Sequence, residues 1–195
     1  MMKFVIATGN PGKVKDFNLI LSMMGHEAVS LKEIGIECDV EETGTTFKEN
    51  SYIKAKAIYD MVKLPTIADD SGLCVDALDG APGVYSARYG GEGLDDRDRC
   101  IKLLEEMKDV KNRKAWFKSA ICCILDDDTV IEVEGECEGT LLYEITGENG
   151  FGYDPLFFVE KFQKTFGEVS KEEKNEISHR RKAMDKLKEE LKKVL

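Results

Sequence analysis

The sequence predicts an α/β fold, and three observations carry that reading. A continuous apolar run, Phe4-Val5-Ile6-Ala7, passes into a glycine loop and then into apolar residues at helical spacing. Ala115 to Leu125 and Thr129 to Tyr143 switch to strand period and are joined at Asp126-Asp127-Asp128. Capped amphipathic stretches are interspersed with these runs, which favours α/β or α+β over an all-helical protein. At 195 residues, with no repeat or low-complexity linker, the chain is expected to form a single domain, residues 1–195, large enough for two closely joined lobes.

Composition narrows the function. A net charge of −10 at pH 7 argues against binding nucleic-acid polymers, which needs a broad basic surface. It leaves room for a small phosphorylated ligand, provided a metal or a few localised cations overcome the acidic background. No apolar run approaches the roughly 18 residues of a membrane span, and the start reads as a strand rather than a signal peptide. A soluble, cytoplasmic protein is therefore expected. Cys38, Cys74, Cys100, Cys122, Cys123 and Cys137 show no CxxC pairing, so neither zinc nor a disulfide framework is indicated.

Taken in order, the first strand leads into Thr8-Gly9-Asn10-Pro11-Gly12-Lys13, and Phe17, Ile20, Leu21 and Met24 follow at helical spacing. A strand, glycine loop and helix present backbone N–H groups to an anion, and Lys13 adds a charge there. This is not a Walker loop, because Val14 stands where Ser or Thr would hold magnesium; a plain β–α turn is the competing reading. Glu27 to Leu31 reads as a second strand. Thr46-Phe47-Lys48-Glu49 has capping-box spacing and opens a helix to about Val62, preceded by Glu41-Glu42-Thr43-Gly44. On its stripe of Asn50, Lys54, Ala57, Ile58 and Met61 the apolar tail would be buried, and Asn50 and Lys54 offered to a cleft.

Pro65 to Ala68 reads as a short buried strand ended by a bend at Ser71-Gly72, with Asp69 and Asp70 between. Neighbouring strand residues face opposite ways, so the two carboxylates do not share one task. One of them suits divalent-metal binding or activation of a water; a turn in which Asp and Ser bond the backbone is the alternative.

Leu73-Cys74-Val75 is a further short strand, and Asp95 or Asp96 caps a helix through about Met107, followed by a polar break over residues 111–114. In the second long strand Val130, Glu132, Glu134 and Glu136 alternate with Ile131, Val133 and Gly135, which marks a wet face rather than a metal site. Gly147 to Asp154 is a glycine-rich loop, and Leu156 to Val159 a buried strand. Ser170 and Glu173 form a second capping box, opening a turn that bears Lys174. Ser178 caps a last helix on which Met184, Leu187, Leu191 and Leu195 recur. His179, Arg180 and Arg181 fill its first turn, where the dipole disfavours each cation by about 0.3 to 1 kcal/mol; a neighbouring carboxylate would relieve that cost, but with Lys174 just upstream an anionic ligand is the expectation.

Five segments in this order resemble the inosine triphosphate pyrophosphatase family: Thr8 to Lys13, Ala68 to Leu73, Gly80-Ala81-Pro82-Gly83 with Tyr85 to Tyr89, Phe151-Gly152-Tyr153-Asp154-Pro155, and Ser178-His179-Arg180. The resemblance spans nearly the whole chain. It implies an elongated mixed central sheet flanked by helices, two lobes around a deep nucleotide cleft, and a homodimer. It also implies hydrolysis of ITP, dITP and XTP to the monophosphate and pyrophosphate with Mg2+. By the same resemblance Thr8, Gly9, Asn10, Pro11, Gly12 and Lys13, with Lys54 and Ser71, would hold the triphosphate. Asp70 would be general base and metal ligand, with Glu42 as its metal partner; choosing Glu42 over Glu41 rests on spacing from Lys54. Phe151, Gly152, Tyr153, Asp154, Lys174, His179 and Arg180 would hold the base.

Overall fold

The computed structural model describes residues 1–195. Its elements follow in the order β1 (Lys3–Ile6), α1 (Pro11–Met23), β2 (Glu27–Ser30), α2 (Phe47–Val62), β3 (Thr66–Val75), α3 (Asp96–Glu106), β4 (Lys114–Ile124), β5 (Val130–Leu141), β6 (Phe157–Val159), β7 (Lys164–Thr165), α4 (Lys171–Ile177) and α5 (His179–Val194). The strands hydrogen-bond in the order β2-β1-β3-β4-β5-β6-β7. Strand β1 runs parallel to β2 and β3, whereas β6 is antiparallel to both β5 and β7, so the sheet is mixed. No helix is long and apolar enough to cross a membrane.

The chain divides into two compact units, one of residues 1–70, 119–135 and 182–195, the other of residues 71–118 and 136–181. In the first unit the strand alternation sorts two cores. Phe4 and Ile6 of β1 and Ile67 of β3 pack with Phe17 and Leu21 of α1 and with Met184, Leu187 and Leu191 of α5. Val5, Ala7 and Ala68, the intervening residues, pack with Ala55, Ile58 and Tyr59 of α2. By the same alternation Asp69 continues the α1 side and Asp70 the α2 side. The second unit has one core, in which Leu73 and Val75 meet Cys100 and Leu103 of α3 and the ring cluster of Phe117, Phe157 and Phe166.

Local chemistry accounts for the helix starts. Thr46 Oγ1 accepts from Glu49 N–H at 3.1 Å, and the Glu49 carboxylate accepts from Thr46 N–H at 3.2 Å. Ser170 and Glu173 close the same box on α4, and Asp95, with Asp98, closes it on α3. Five of the six cysteines are buried and all are free thiols.

The structure corrects several expectations. Strand β3 runs unbroken for ten residues through Asp69, Asp70, Ser71 and Gly72, with no bend there. It is hydrogen-bonded to β1 on one side and β4 on the other, and those ladders outweigh the local turn preference of Ser-Gly. Met61 is 59% exposed, because α2 turns Phe47, Ser51, Ala55, Ile58 and Tyr59 inward instead; Leu195, beyond the end of α5, is likewise exposed. Gly12 and Lys13 lie inside the first turn of α1 rather than in a loop before it. The two-residue strand β7 is too short to leave a sequence signal.

Arg113, placed in a polar break by sequence, is buried. Its Nε donates to Leu141 O (3.1 Å), Nη1 to Met107 O (2.9 Å) and Nη2 to Leu142 O (2.6 Å), tying the end of α3 to the end of β5. Arg113→Ala leaves these carbonyls without their donor and is expected to cost about 3 kcal/mol of folding stability, with Arg113→Lys intermediate; denaturant titration measures both.

Candidate functional site

The loop after β1 is built around Asn10. Its Oδ1 accepts from Gly12 N–H at 2.8 Å and from Lys13 N–H at 3.3 Å, while Thr8 Oγ1 accepts from Asn10 N–H at 3.2 Å. Two of the helix N–H groups expected to face an anion are thus engaged by the loop itself, which is preformed. The charge it presents is the Lys13 ammonium, 2.9 Å from Asp69 Oδ2. Pairing with the almost fully buried Asp69 fixes where Lys13 points.

Around Lys54 the opposite face of β3 gathers a second set of charges. Lys54 Nζ lies 2.7 Å from Glu42 Oε1, donates to Asp69 O at 2.7 Å, and stands 3.9 Å from Asp70 Oδ1. Glu42, not the exposed Glu41, is the member of the pair brought to this cluster. The reason is Asn50, fully buried on α2, whose Oδ1 accepts from Gly44 N–H at 2.8 Å. A Cβ on Gly44 would come within 2.6 Å of that oxygen, so only glycine lets the acidic loop lie this close.

Asp70 is 8% exposed, and burial pushes its pKa up; Lys54 and the Asn50 amide oppose the shift, while Glu42 and Asp69 add to it. No group of three or more His, Cys, Asp or Glu side chains converges to cage a metal. Glu42 and Asp70 do supply hard oxygen donors on either side of one ammonium. That set fits magnesium bound through one or two carboxylates and completed by substrate phosphates.

In the second unit the aromatic loop and α4 meet. Asp154, 1% exposed, is ion-paired with Lys174 and accepts from Phe151 N–H at 3.0 Å. The Lys174 ammonium stands 4.5 Å from the Phe151 ring centroid and 5.3 Å from that of Phe166. Burial raises the pKa of Asp154 and Lys174 counters it. Phe151 is 61% exposed, an open ring beside a fixed cation. Tyr153 points the other way: it is buried, with its hydroxyl donating to Ser86 O at 2.7 Å, so its side chain is a strut under the loop. His179 is buried with its ring stacked on Phe117 at 5.0 Å, and Arg180 follows it, half-buried. Ser71, half-buried, continues β3 directly after Asp70.

The structure therefore gathers Thr8, Asn10 and Lys13 at one place in the first unit, Glu42, Lys54 and Asp70 at another, and Phe151, Asp154 and Lys174 in the second unit. Sequence reasoning missed Asp69 as the partner of Lys13, for which strand alternation was a usable signal. It also missed the bond that the Asp96 carboxylate accepts from Gly152 N–H, having read Asp96 only as a candidate helix cap.

Preset cations and an exposed ring with a donor-only neighbour equip an α/β protein for handling nucleotides. Comparison with known proteins narrows that class. Residues 4–190 match the model of the Ham1 family, and the chain belongs to that family. A protein of Clostridium tetani described as a dITP/XTP pyrophosphatase is 50% identical over 195 residues, covering 98% of this chain and 97% of that one. The solved Ham1 protein of Staphylococcus aureus superposes with a TM-score of 0.93 at 41% identity, over 99% of this chain and 100% of its own. A HAM1 protein from Coxiella burnetii gives 0.94 at 38% identity with the same coverage.

Because burial raises the pKa of Asp70, the folded state holds that proton more tightly than the unfolded chain does. Ionised Asp70 accordingly lowers stability at neutral pH, and the deficit vanishes as pH falls below the unfolded carboxylate value of about 4. Metal-free Asp70→Asn is expected to melt above the parent at pH 7, with the gap closing toward pH 4. A lower melting temperature at pH 7 would mean that the contacts with Lys54 and Asn50 outweigh desolvation.

Proposed function

We infer that this chain hydrolyses deaminated purine nucleoside triphosphates, ITP, dITP and XTP, to the monophosphate and pyrophosphate, clearing them from the nucleotide pool. One observation carries the reading: the chain is half identical, over nearly its whole length, to a protein described as a dITP/XTP pyrophosphatase. The site geometry supports an assignment of roles.

The residues Thr8, Gly9, Asn10, Pro11, Gly12 and Lys13, with Lys54 and Ser71, take the triphosphate. Lys13 and Lys54 offset charge on the phosphate oxygens, and both are preoriented by backbone or carboxylate partners. Asp70 is the general base: burial raises its pKa, and a more basic carboxylate takes a proton from water more readily than an ordinary one. The water it activates attacks the α-phosphorus, and pyrophosphate leaves in one step. Glu42 and Asp70 would hold Mg2+, which when bound would neutralise phosphate charge and lower the pKa of water.

Phe151, Gly152, Tyr153, Asp154, Lys174, His179 and Arg180 take the base. Phe151 offers a stacking face. Tyr153 and Asp154 serve from beneath, as strut and counter-ion, rather than through direct contact. Lys174 carries only donors, as does Arg180. Hypoxanthine and xanthine present an oxygen at the six-position where adenine has an amino group; against donors that group is left unmatched, at about 1 to 3 kcal/mol per buried contact. A homodimer in the cytoplasm, with no nucleic-acid or membrane partner, completes the proposal.

Hydrolysis of dITP in 18O-water is expected to place the label in the monophosphate, with ATP turned over far more slowly. Chelation should abolish activity and magnesium restore it. Asp70→Asn should lower kcat by about 1,000-fold or more with the fold intact. Release of orthophosphate and a nucleoside diphosphate would move the cleaved bond to the γ-phosphate and overturn the assignment.

A further inference from the structure

An exposed ring is a good stacking surface only if it is held still, since ordering it on binding detracts from affinity. Phe151 belongs to neither helix nor strand, yet Gly152, the residue after it, is held by α3 at both its N–H and its carbonyl. Asp96 Oδ2 accepts from Gly152 N–H at 2.7 Å, and Cys100 Sγ lies 3.4 Å from the Gly152 carbonyl oxygen. Asp96 and Cys100 are one helical turn apart and share a face. Gly152 sits at φ +60°, a conformation that glycine adopts without strain.

Asp96 is not needed as the cap of its own helix. Capping of α3 is already complete through Asp95 and Asp98. Arg99 holds the other Asp96 oxygen at 2.9 Å, which fixes the carboxylate in place. Burial disfavours its charge, but the Gly152 N–H and Arg99 more than offset that and hold its pKa below the ordinary value, so it stays an acceptor at neutral pH. Burial pushes the Cys100 thiol up to about 12, so it stays protonated and able to donate.

We propose that Asp96 is a positioning residue for base recognition, acting through the Gly152 peptide to fix the Phe151 ring beside Lys174. The proposal rests on the assignment of Phe151 to the base. Through this peptide, the first turn of α3 sets the presentation of a group that no side chain of α3 needs to touch.

The test compares the parent with Asp96→Ala, Asp96→Asn, Arg99→Gln and Phe151→Ala, measuring steady-state kinetics with dITP and calorimetric binding of inosine monophosphate and inorganic pyrophosphate. Asp96→Ala is expected to raise KM and the Kd of the monophosphate about ten-fold, the usual order for one hydrogen bond to a charged group. Its kcat and the Kd of pyrophosphate stay within about two-fold, the pattern of lost ground-state binding. Asp96→Asn, which keeps an acceptor for Gly152, recovers most of the loss.

Arg99→Gln frees one Asp96 oxygen and is expected to weaken monophosphate binding about three-fold; it stands in should Asp96→Ala melt below the assay temperature. Equal weakening of monophosphate and pyrophosphate would mark general destabilisation and overturn the proposal. So would unchanged monophosphate binding in the Asp96 variant, or in Arg99→Gln where that one stands in, while Phe151→Ala weakens it. If Phe151→Ala itself has no effect, the assignment of Phe151 to the base is at fault, and the positioning role falls with it.

Discussion

The two-residue repeat of a β-strand is the constraint on which the first unit depends. Because β3 continues straight through Asp69 and Asp70, their carboxylates leave on opposite faces, one to a lysine on α1 and the other to the surroundings of a lysine on α2. The strand thus separates two duties that a pair of adjacent acids could not otherwise hold apart: Asp69 orients a cation, and Asp70 keeps a perturbed proton affinity. Parallel pairing with β1 brings the first turn of α1, which carries Lys13, to the same end of the sheet, where open α/β folds bind their ligands.

In the second unit a buried acid plays a different part. Asp154 is desolvated but receives both the Lys174 ammonium and a backbone N–H, so its charge is compensated where it stands. The ammonium in turn is set between two aromatic faces. Polar groups of the 149–154 loop are tied to α3, to Ser86 and to the backbone at Gly167 and Val169. A loop so thoroughly bonded behaves as a rigid support, and rigidity is what permits a large apolar ring to remain outside the core.

What could be read from sequence was whatever is decided locally. The box of Thr46 with Glu49 lies within four residues, and the helix it opens was legible to its last residue, Val62. The box at Ser170 was legible for the same reason, whereas the start of α1, capped by Asn10, was placed too late. The extent of β3 was not legible, because neighbouring strands overrode the turn preference of two residues. The long-range roles of Arg113 and Asp96 were invisible, since Leu141 and Gly152 stand 28 and 56 positions from them. Among the proposed site residues Phe151 to Asp154 were named as a block, and the sequence did not distinguish the exposed ring of Phe151 from the buried Tyr153 and Asp154. Similarly, Glu42 and Glu41 became distinguishable only once Asn50 had fixed the loop between them and α2.

The self-capped loop at Asn10 has a bearing on traffic through the site. An empty nest of amide donors would seize any passing anion, including orthophosphate, which cells hold in abundance. Here two of those donors are satisfied beforehand, so a phosphate arriving alone gains little and exchanges one bond for another. On the proposed reading, a triphosphate that reaches Lys54 as well as Lys13 recovers what a lone phosphate does not.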